Sequence, residues 1–502
     1  MNAACTPIPL TEAIDSHSLP PEVTTPSYDR SRLTVGIAHF GVGGFHRSHQ
    51  AMYLDRLMEC GEALDWAICG IGLMPGDTRM RDALLAQRGL YTLTLKRADG
   101  GLERQVVGSI IDYLYAPDDP EQVLQLLASP RLRIVSLTIT EGGYNLSDLD
   151  GTFDAEAPAV AHDLAQPQAP QSVFGFIVEA LSRRREAGIA PFTVMSCDNI
   201  EENGAVARSA MLGFARLRDA ELADWIAVEV DFPNSMVDRI TPMTTAQDIV
   251  ELAEQCGVTD AWPVVAEPYA QWVIEDCFAK SGRPDFTAAG VQLTEDVRPY
   301  ELLKLRVLNG GHQAIAYPGR LLGYELVDEA MRDELVLAFL DAYMSEVSPY
   351  LPNVPGMDLG EYRASVRERF ANPRVSDTLL RLSMETSDRV PKFVLPVLTS
   401  GEGREFPVVM ALLALWARFV RGIDERGAEM RIVDRRLETL RRASEGQAED
   451  PLAFLRLREL FGGLAEQPAL ARAFATSWRV LEEEGVRALL RRVTSGEDKQ
   501  QR

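Results

Sequence analysis

The stretch VGIAHFGVGGFHRSHQ constrains the fold of this chain more than any other part of the sequence. Its glycines Gly41, Gly43 and Gly44 follow a strand-like run and precede a helix-like one, with Phe45 beside them. Glycines let a backbone approach phosphate groups, and a helix N-terminus offers free N–H groups and a positive dipole. His46 stands where strict G-x-G-x-x-G has its third glycine, so a tight structural turn remains the alternative. The strand-to-helix context favours a dinucleotide-binding loop.

A carboxylate that binds the adenosine ribose usually follows the second strand, about 20 residues beyond such a loop. Here Asp77 follows the second strand-like run, 36 residues after Gly41, and is the candidate. Asp65 competes with it but precedes that strand, and would lie at the wrong end of the sheet. A carboxylate favours NAD over NADP because it repels the 2′-phosphate, although Arg79 and Arg81 stand nearby.

The first half of the chain alternates strand-like and helix-like runs. Apolar runs rich in β-branched residues indicate buried strands, and runs with helical spacing that end at glycine indicate helices. The strands are predicted at 32–41, 65–73, 132–140 and 191–199, and the helices at 49–61 and 172–188. Strands separated by helices are typical of an α/β fold with a parallel sheet covered on both faces.

From about residue 295 onward the sequence changes to helical patterns with few strand signals. Helices are predicted at 300–316, 325–346, 359–371, 374–386 and 406–421. A chain of 502 residues is too long for one core. We therefore predict four segments, namely an extended arm at 1–30, a Rossmann-type dinucleotide-binding domain at 31–294, a mostly α-helical domain at 295–490 and a frayed tail at 491–502.

Charge and composition argue against several classes of protein. The net charge of −23 leaves no basic surplus for the phosphates of a nucleic acid. The Arg183–Arg185 run is expected to be solvated at a helix end. No apolar run is long enough to cross a membrane, and the N-terminus lacks a secretory signal. The scattered cysteines favour neither disulfides nor a cysteine zinc site. We expect a cytoplasmic protein without a metal.

Three histidines surround the glycine loop, at His39, His46 and His49. Their spacing permits a metal site. The positive N-terminus of the following helix disfavours a dication, however. We therefore favour histidines that pack near the loop or form hydrogen bonds around a cofactor.

The stretch KLRVLNGGHQ in the second half carries polar groups where a helix should bury leucines. At 100° per residue, Lys304 lies at 0°, His312 at about 80° and Asn309 at about 140°. The three groups therefore share one arc of the helix, and Glu301 lies beside that arc. This clustering is compatible with a site, but the spacing alone favours a structural role slightly.

A buried lysine in this arc favours its neutral form, in which it can act as a base. Gly310 and Gly311 leave room for a ligand there, at a cost in helix propensity, and close helix packing is the rival explanation. A structural interpretation of the whole arc also stays open. In that interpretation Lys304 reaches solvent, Asn309 bonds locally and His312 is a satisfied core histidine.

Five motifs, taken in order, resemble the mannitol dehydrogenase family of long-chain polyol dehydrogenases. They are GVGGFHRSHQ, TITEGGYN, SCDNIEENG, FPNSMVDRITP and YELLKLRVLNGGHQAIAY, and the match runs from about residue 32 to about residue 420. The resemblance implies a zinc-independent, NAD(H)-dependent oxidoreductase that interconverts a polyol and a ketose, with D-mannitol and D-fructose as the expected pair. It also implies a Rossmann-type domain, a helical C-terminal domain and an active site between them.

The resemblance implies catalytic roles for five residues of these motifs. Lys304 would be the base that takes the alcohol proton, and Glu301 would link it to bulk water. Asn199 and Asn309 would form an oxyanion hole, and His312 would hold a substrate hydroxyl. These roles suit the chemistry, because the alcohol oxygen gains negative charge as hydride leaves and amide donors stabilise that charge.

The same resemblance places residues around the cofactor and the substrate. Asp77 would bind the adenosine ribose, and Asp238 would lie near the nicotinamide. Arg381 matches an arginine that the family uses toward substrate, and Arg389 stands where many members have lysine. Because an arginine fork suits a carboxylate, reduction of fructuronate or tagaturonate remains an alternative, and a non-catalytic dinucleotide-binding protein is a remote one. The family pattern and the lack of a heptad seam favour a monomer.

Overall fold

The computed structural model describes most of the chain, namely residues 6–146, 152–278, 282–401 and 403–495. Two compact units divide the chain, Met1–Arg298 and Pro299–Arg502. The sequence-based division after residue 294 lies close to this boundary. The first unit combines strands with helices and the second is helical, which confirms an α/β domain followed by a mostly α-helical one.

The described strands all lie in the first unit. They are β1 (Ile8–Pro9), β2 (Val23–Thr24), β3 (Val35–Phe40), β4 (Ala67–Gly72), β5 (Tyr91–Lys96), β6 (Leu102–Val107), β7 (Ile110–Tyr115), β8 (Ile134–Leu137), β9 (Thr193–Ser196), β10 (Ser235–Asp238), β11 (Val258–Thr259), β12 (Val264–Ala266), β13 (Gln271–Glu275) and β14 (Gln292–Thr294). They form sheets with the orders β7-β4-β3-β8-β9, β12-β5-β6-β2, β10-β13-β14 and β1-β11.

The five-stranded sheet is parallel throughout, as predicted. β3 lies at its centre, where His39 is level with Gly70 of β4 on one side and Ser136 of β8 on the other. The chain runs outward from β3 through β4 to β7 and then returns to β8 and β9. Such a reversal opens a crevice at the carboxyl ends of the two central strands, where α/β proteins bind ligands.

The helices of the first unit are α1 (Leu10–Asp15), α2 (Gly44–Ser48), α3 (Gln50–Glu59), α4 (Asp77–Ala86), α5 (Pro120–Ala128), α6 (Pro158–Ala165), α7 (Val173–Glu186), α8 (Asn203–Arg218), α9 (Ala220–Glu229) and α10 (Ala246–Cys256). They cover both faces of the parallel sheet, as its apolar strands require. In β3, Ala38 and Phe40 pack into the core beneath α7, whereas Ile37 packs into the opposite core with Leu54 of α3.

The N-terminal segment is more structured than the extended arm that we predicted for residues 1–30. Its described part contains α1, together with β1 and β2, which pair with β11 and β6. Leu10 and Ala13 are buried in a small core with Leu252 and Val258. The apolar residues at helical spacing in α1 therefore outweigh the prolines that suggested an extended arm.

The helices of the second unit are α11 (Arg298–Leu303), which begins at the boundary, α12 (Gly310–Leu321), α13 (Val327–Met331), α14 (Glu334–Val347), α15 (Leu359–Phe370), α16 (Leu379–Leu382), α17 (Thr386–Phe393), α18 (Pro396–Ser400), α19 (Pro407–Phe419), α20 (Leu437–Gly446), α21 (Arg458–Phe461), α22 (Pro468–Glu484) and α23 (Val486–Ser495). α19 is apolar on all sides and packs against α12, α14, α22 and α23. No helix in the described part of the chain is long and apolar enough to cross a membrane.

Two details of the predicted helical domain are wrong. No continuous helix spans the predicted range 374–386, because Ser376 and Glu385 adopt left-handed backbone angles, with φ of 52° and 49°. Between them Thr378 forms an isolated bridge with Leu326, and only the short α16 is helical. The predicted frayed tail begins too early, since α23 buries Leu489 and Leu490 and continues to Ser495. Residues 496–502 lie outside the described part.

Arg184 contradicts the expectation of a solvated arginine run. Its side chain is 2% exposed and donates hydrogen bonds to the carbonyl oxygens of Leu127, Ser129, Leu132 and Ala190. Burial lowers its pKa to about 10. The guanidinium thus links the end of α7 by hydrogen bonds to the segments before β8 and β9.

We expect Arg184→Met to lower the free energy of unfolding by about 3 kcal/mol, because four carbonyls, two of them in buried hydrogen bonds, lose their donor. Urea denaturation followed by circular dichroism measures the change. Arg185→Met is the matched control, since Arg185 is exposed and lies 3.8 Å from Glu221; it should change stability by less than about 0.5 kcal/mol. Equal losses of stability in the two variants would contradict the stabilising role of Arg184.

Candidate active site

The glycine loop contains two kinds of glycine. Gly41 has φ of 92°, and a Cβ there would lie 2.1 Å from the carbonyl oxygen of Thr138, so no other residue fits. A Cβ on Gly43 would meet only the Gly41 carbonyl, at 3.8 Å, and a Cβ on Gly44 only Thr241, at 3.6 Å. Packing within the protein therefore does not require glycine at 43 and 44, and the open space suits a phosphate group that approaches the backbone.

Asp77 begins α4 just beyond the carboxyl end of β4, next to the glycine loop that follows β3. Its Oδ2 accepts hydrogen bonds from the backbone N–H groups of Leu73, at 2.9 Å, and Met74, at 2.8 Å. Both bonds engage the same oxygen, and no hydrogen bond from another described residue is seen at the second oxygen. A Cβ on Gly72 would lie 2.7 Å from the Asp77 Cβ, which explains that glycine.

The arginines beside Asp77 are engaged elsewhere. Arg81 pairs with Asp82 and Asp118, at 2.8 and 2.7 Å. The Arg79 guanidinium lies over the Trp262 ring, 4.2 Å from its centroid. These contacts weaken the argument that the two cations select a 2′-phosphate.

The histidines around the loop pack into the interior. His39 bonds Ser136 and Thr138 through its two ring nitrogens, at 2.8 and 2.9 Å, and stacks on His46 with ring centroids 3.4 Å apart. His49 bonds the carbonyl of Gln271 at 2.8 Å and stacks on the ring of Phe45, the last predicted residue of the loop. Among the described residues no group of three or more His, Cys, Asp and Glu side chains is arranged to hold a metal ion.

Asn199 is exposed just beyond β9, at the same carboxyl edge of the sheet. Its neighbour Asp198 accepts hydrogen bonds from the backbone of Ile139 and Thr140, at 3.1 and 2.8 Å, and from the Tyr144 hydroxyl, at 2.7 Å. Burial nonetheless raises the pKa of Asp198. This carboxylate joins the segments that follow β8 and β9. Sequence reasoning missed it, although the motifs TITEGGYN and SCDN contain all these groups.

Asp238 is the last residue of β10 and is buried. Arg239, which follows it, was not singled out from the sequence. Its guanidinium donates to the carbonyl of Glu267, at 3.0 and 2.9 Å, and to that of Ser48 at the end of α2. The FPNSMVDRITP motif therefore ties the loop after β10 to the helix that follows the glycine loop.

In the second unit, Glu301 and Lys304 are buried on one helix, with 5% and 8% of their surfaces exposed. Residues Lys304–Asn309 form a π-helical segment between α11 and α12, so the 100° spacing assumed from the sequence does not hold there. Asn309, also buried, makes no capping hydrogen bond to the start of α12. The angles predicted for this arc therefore change.

The two glycines of KLRVLNGGHQ serve close packing rather than room for a ligand. A Cβ on Gly310 would lie 2.0 Å from the Tyr343 hydroxyl oxygen, and a Cβ on Gly311 would lie 3.1 Å from the Leu340 side chain. Both neighbours belong to α14. The rival explanation, close helix packing, is therefore the correct one.

His312 is the centre of a cationic cluster. Its ring stacks on Phe370, with centroids 4.5 Å apart, and its buried Nε2 has no hydrogen-bond partner among the described residues. Burial holds its pKa well below the usual value, and so do the nearby cations of Arg381, Arg369, Arg389 and Lys304. A neutral imidazole with an unpaired buried nitrogen is suited to hold a ligand hydroxyl. Arg369, which sequence reasoning missed, belongs to this cluster.

Arg381 and Arg389 are partly engaged by the protein. Arg381 forms a bidentate pair with Asp377, four residues earlier, and is half exposed. Arg389 donates to the carbonyls of Arg381 and Leu382, at 3.0 and 2.9 Å. The Asp377 carboxylate occupies the fork of Arg381, which a carboxylate-bearing sugar would otherwise need.

These observations define a class of protein: a dinucleotide-dependent dehydrogenase with a Rossmann-type unit and a helical unit that carries a buried lysine. Family models of the mannitol dehydrogenase Rossmann domain and of the mannitol dehydrogenase C-terminal domain match residues 35–288 and 296–482. The chain belongs to the mannitol dehydrogenase family.

Relatives match almost the whole chain. The mannitol 2-dehydrogenase of Cereibacter sphaeroides is 44% identical over 473 residues, which cover 94% of this chain and 98% of the relative. That of Aspergillus fumigatus is 43% identical over 474 residues, which cover 92% and 94%. Both predicted domains are therefore shared with these proteins.

Two solved structures are similar over their whole length. The mannitol 2-dehydrogenase of Pseudomonas fluorescens, in a ternary complex with NAD and D-mannitol, is 45% identical, with a TM-score of 0.86 and coverage of 98% of this chain and 99% of that one. A D-sorbitol dehydrogenase in substrate-free form is 40% identical, with a TM-score of 0.89 and coverage of 97% and 100%.

The two kinds of glycine in the loop predict opposite effects of alanine. Gly43→Ala should leave thermal stability unchanged but weaken NAD binding at least about tenfold, because the methyl group fills space that the phosphates need. Gly41→Ala should instead destabilise the fold by several kcal/mol, about 3 or more, through the clash with Thr138. Thermal melting and calorimetric titration with NAD separate the two effects. Unchanged NAD affinity in Gly43→Ala would contradict the assignment.

Proposed function

We propose that this protein is an NAD-dependent oxidoreductase that interconverts D-mannitol and D-fructose. The observation that carries the proposal is the identity of 43–45% to mannitol 2-dehydrogenases across both domains, one of them solved with NAD and D-mannitol. The reaction fits that name, because oxidation of the C2 hydroxyl of D-mannitol gives the ketose D-fructose. The D-sorbitol dehydrogenase relative makes D-sorbitol a further substrate to test.

The first unit holds the cofactor in this proposal. Gly41 sets the turn, Gly43 and Gly44 leave the space for the phosphates, and Asp77 accepts from the adenosine ribose. Asp238, at the end of β10, lies near the nicotinamide. When bound, NAD accepts the hydride from the alcohol carbon. A carboxylate at position 77 favours NAD over NADP, because it repels a 2′-phosphate.

The second unit supplies the proton chemistry. Lys304 takes the proton of the C2 hydroxyl, and Glu301, three residues earlier and also buried, passes it toward bulk water. Asn309 donates a hydrogen bond to the oxygen as it gains negative charge. The neutral imidazole of His312 binds another substrate hydroxyl through its Nε2.

Fructuronate reduction is less well supported than mannitol oxidation. That alternative needs Arg381 and Arg389 as a carboxylate clamp. The bidentate pair with Asp377 already satisfies much of Arg381, and Arg389 is turned toward backbone carbonyls. A polyol, which carries no charge, requires no such clamp. We also propose a cytoplasmic monomer, consistent with described cysteines that are all free.

Lys304→Ala should reduce kcat for D-mannitol oxidation by about 10²- to 10⁴-fold, because the base is lost, while the affinity for NAD stays unchanged. Methylamine added to the variant should restore part of the rate, since a free amine can take the proton. Steady-state kinetics with NAD measure both effects. Lys392→Ala, which removes an exposed lysine of the same unit, is the control and should retain full activity. A Lys304→Ala enzyme that turns over normally would rule out the mechanism.

The substrate class is tested by comparing kcat/KM for D-fructose and fructuronate with NADH. We expect D-fructose to be preferred, because the cation that would recognise the uronate is paired with Asp377. D-Mannitol, D-sorbitol and D-arabinitol with NAD then define the polyol range. A preference of about a hundredfold or more for fructuronate would replace the proposed reaction with uronate reduction.

A further inference from the structure

The helix that carries Lys304 contains a shift in its backbone hydrogen bonds. The N–H of Gly310 donates to the carbonyls of Leu305 and Val307, five and three residues earlier, whereas an α-helix would pair it with Arg306. The π-helical segment is confined to Lys304–Asn309, and α-helix continues on both sides. Such segments are rare inside α-helices and frequently occur at functional sites.

The π-helical turn changes which side chains share a face. In an α-helix, residues five apart are separated by about 140° around the axis. A turn closed by hydrogen bonds between residues five apart instead has more residues per turn, so the two lie closer together around the axis. Lys304 and Asn309 are five apart and span the segment. The base and the amide donor are therefore brought to one face only because the helix is π-helical there.

Tyr343 of α14 reaches the backbone of this turn. Its hydroxyl donates a hydrogen bond of 3.0 Å to the carbonyl of Arg306, the group that the N–H of Gly310 has left. The contact depends on glycine, because a Cβ at position 310 would lie 2.0 Å from the Tyr343 oxygen. The Tyr343 hydroxyl thus reaches the Arg306 carbonyl through space that a side chain at position 310 would fill.

The hydroxyl is suited to this role at any working pH. Tyr343 is fully buried, and burial raises the pKa of its hydroxyl, so it remains a donor. A backbone carbonyl that loses its helical partner in a dry interior is destabilising by about 1–3 kcal/mol unless another donor replaces that partner. Removal of the hydroxyl would therefore favour return of the Gly310 N–H to Arg306 and an ordinary α-helical turn.

We propose that Tyr343 is a positioning residue for catalysis: its hydrogen bond to the Arg306 carbonyl, made through the gap at Gly310, holds the π-helical turn that aligns Lys304 with Asn309. This inference rests on the proposed function, in which those two groups act on the same oxygen. Tyr343 acts through the backbone and takes no part in the chemistry itself.

The test is Tyr343→Phe, which removes one oxygen atom and keeps the ring. We expect kcat for D-mannitol oxidation to fall by about 10- to 100-fold, because small displacements of catalytic groups have effects of this size. The affinity for NAD should stay within about twofold of the original, since the cofactor residues lie in the other unit. Tyr300→Phe is the matched control: its hydroxyl donates to the Pro355 carbonyl at 2.9 Å, so it loses the same kind of bond outside the turn. It should leave kcat within about threefold.

A double-mutant cycle distinguishes positioning from a general loss of stability. Asn309→Ala should lower kcat strongly in the original enzyme but much less in the Tyr343→Phe background, because Asn309 is already displaced there. Additive effects of the two substitutions, or a kcat for Tyr343→Phe equal to that of Tyr300→Phe, would overturn the proposal.

Three single variants keep the outcome decisive. If Tyr343→Phe does not fold, Gly310→Ala displaces the hydroxyl from the other side and should give the same loss of kcat with unchanged NAD affinity; normal kcat would overturn the proposal. Lys304→Ala and Asn309→Ala test the proposed function by themselves. If both stay active, the proposed catalytic roles of Lys304 and Asn309 fail, and an original enzyme that does not oxidise D-mannitol contradicts the proposed function; if both variants lose activity and Tyr343→Phe does not, only the positioning role fails.

Discussion

The contact between Gly41 and Thr138 is the constraint on which the dinucleotide-binding unit depends. At Gly41 a backbone carbonyl occupies the space that a side chain would need, so the ends of β3 and β8 can converge where the strand order reverses. The glycine loop after β3, Asp77 after β4 and Asp198 after β9 consequently share the carboxyl edge of one parallel sheet. A backbone conformation that glycine adopts easily thus determines where the cofactor groups gather.

In the helical unit the main constraint is electrostatic. The chain carries a net charge of −23, yet Lys304 and three arginines lie near His312 in this unit. Burial, together with these charges, lowers the pKa of the imidazole and keeps it neutral, and the charges favour negative charge on any oxygen bound nearby. Asp377 offsets part of this positive charge through Arg381. The balance suits an uncharged polyol whose oxygen becomes negative only during the reaction.

Local patterns predicted much of this molecule, and contacts distant in sequence account for what they missed. The strands before and after Gly41 could be predicted because buried parallel strands are continuous apolar runs. The buried roles of Arg184 and Asp198 could not, since each depends on carbonyl or N–H groups that the fold brings from other segments. The π-helical turn at Lys304 was missed for the same reason, and the glycines beside it were read as space for a ligand.

The contact of Tyr343 with the turn has a consequence for how this site can change. The spacing of Lys304 and Asn309 is a property of two packed helices, α14 and the catalytic one, and not of the catalytic segment alone. If KLRVLNGGHQ were transferred to another helix without the contact from α14, both side chains would be present but would no longer share a face. Substitutions on α14 that contact no ligand therefore belong among the positions that can tune or silence this enzyme during evolution or engineering.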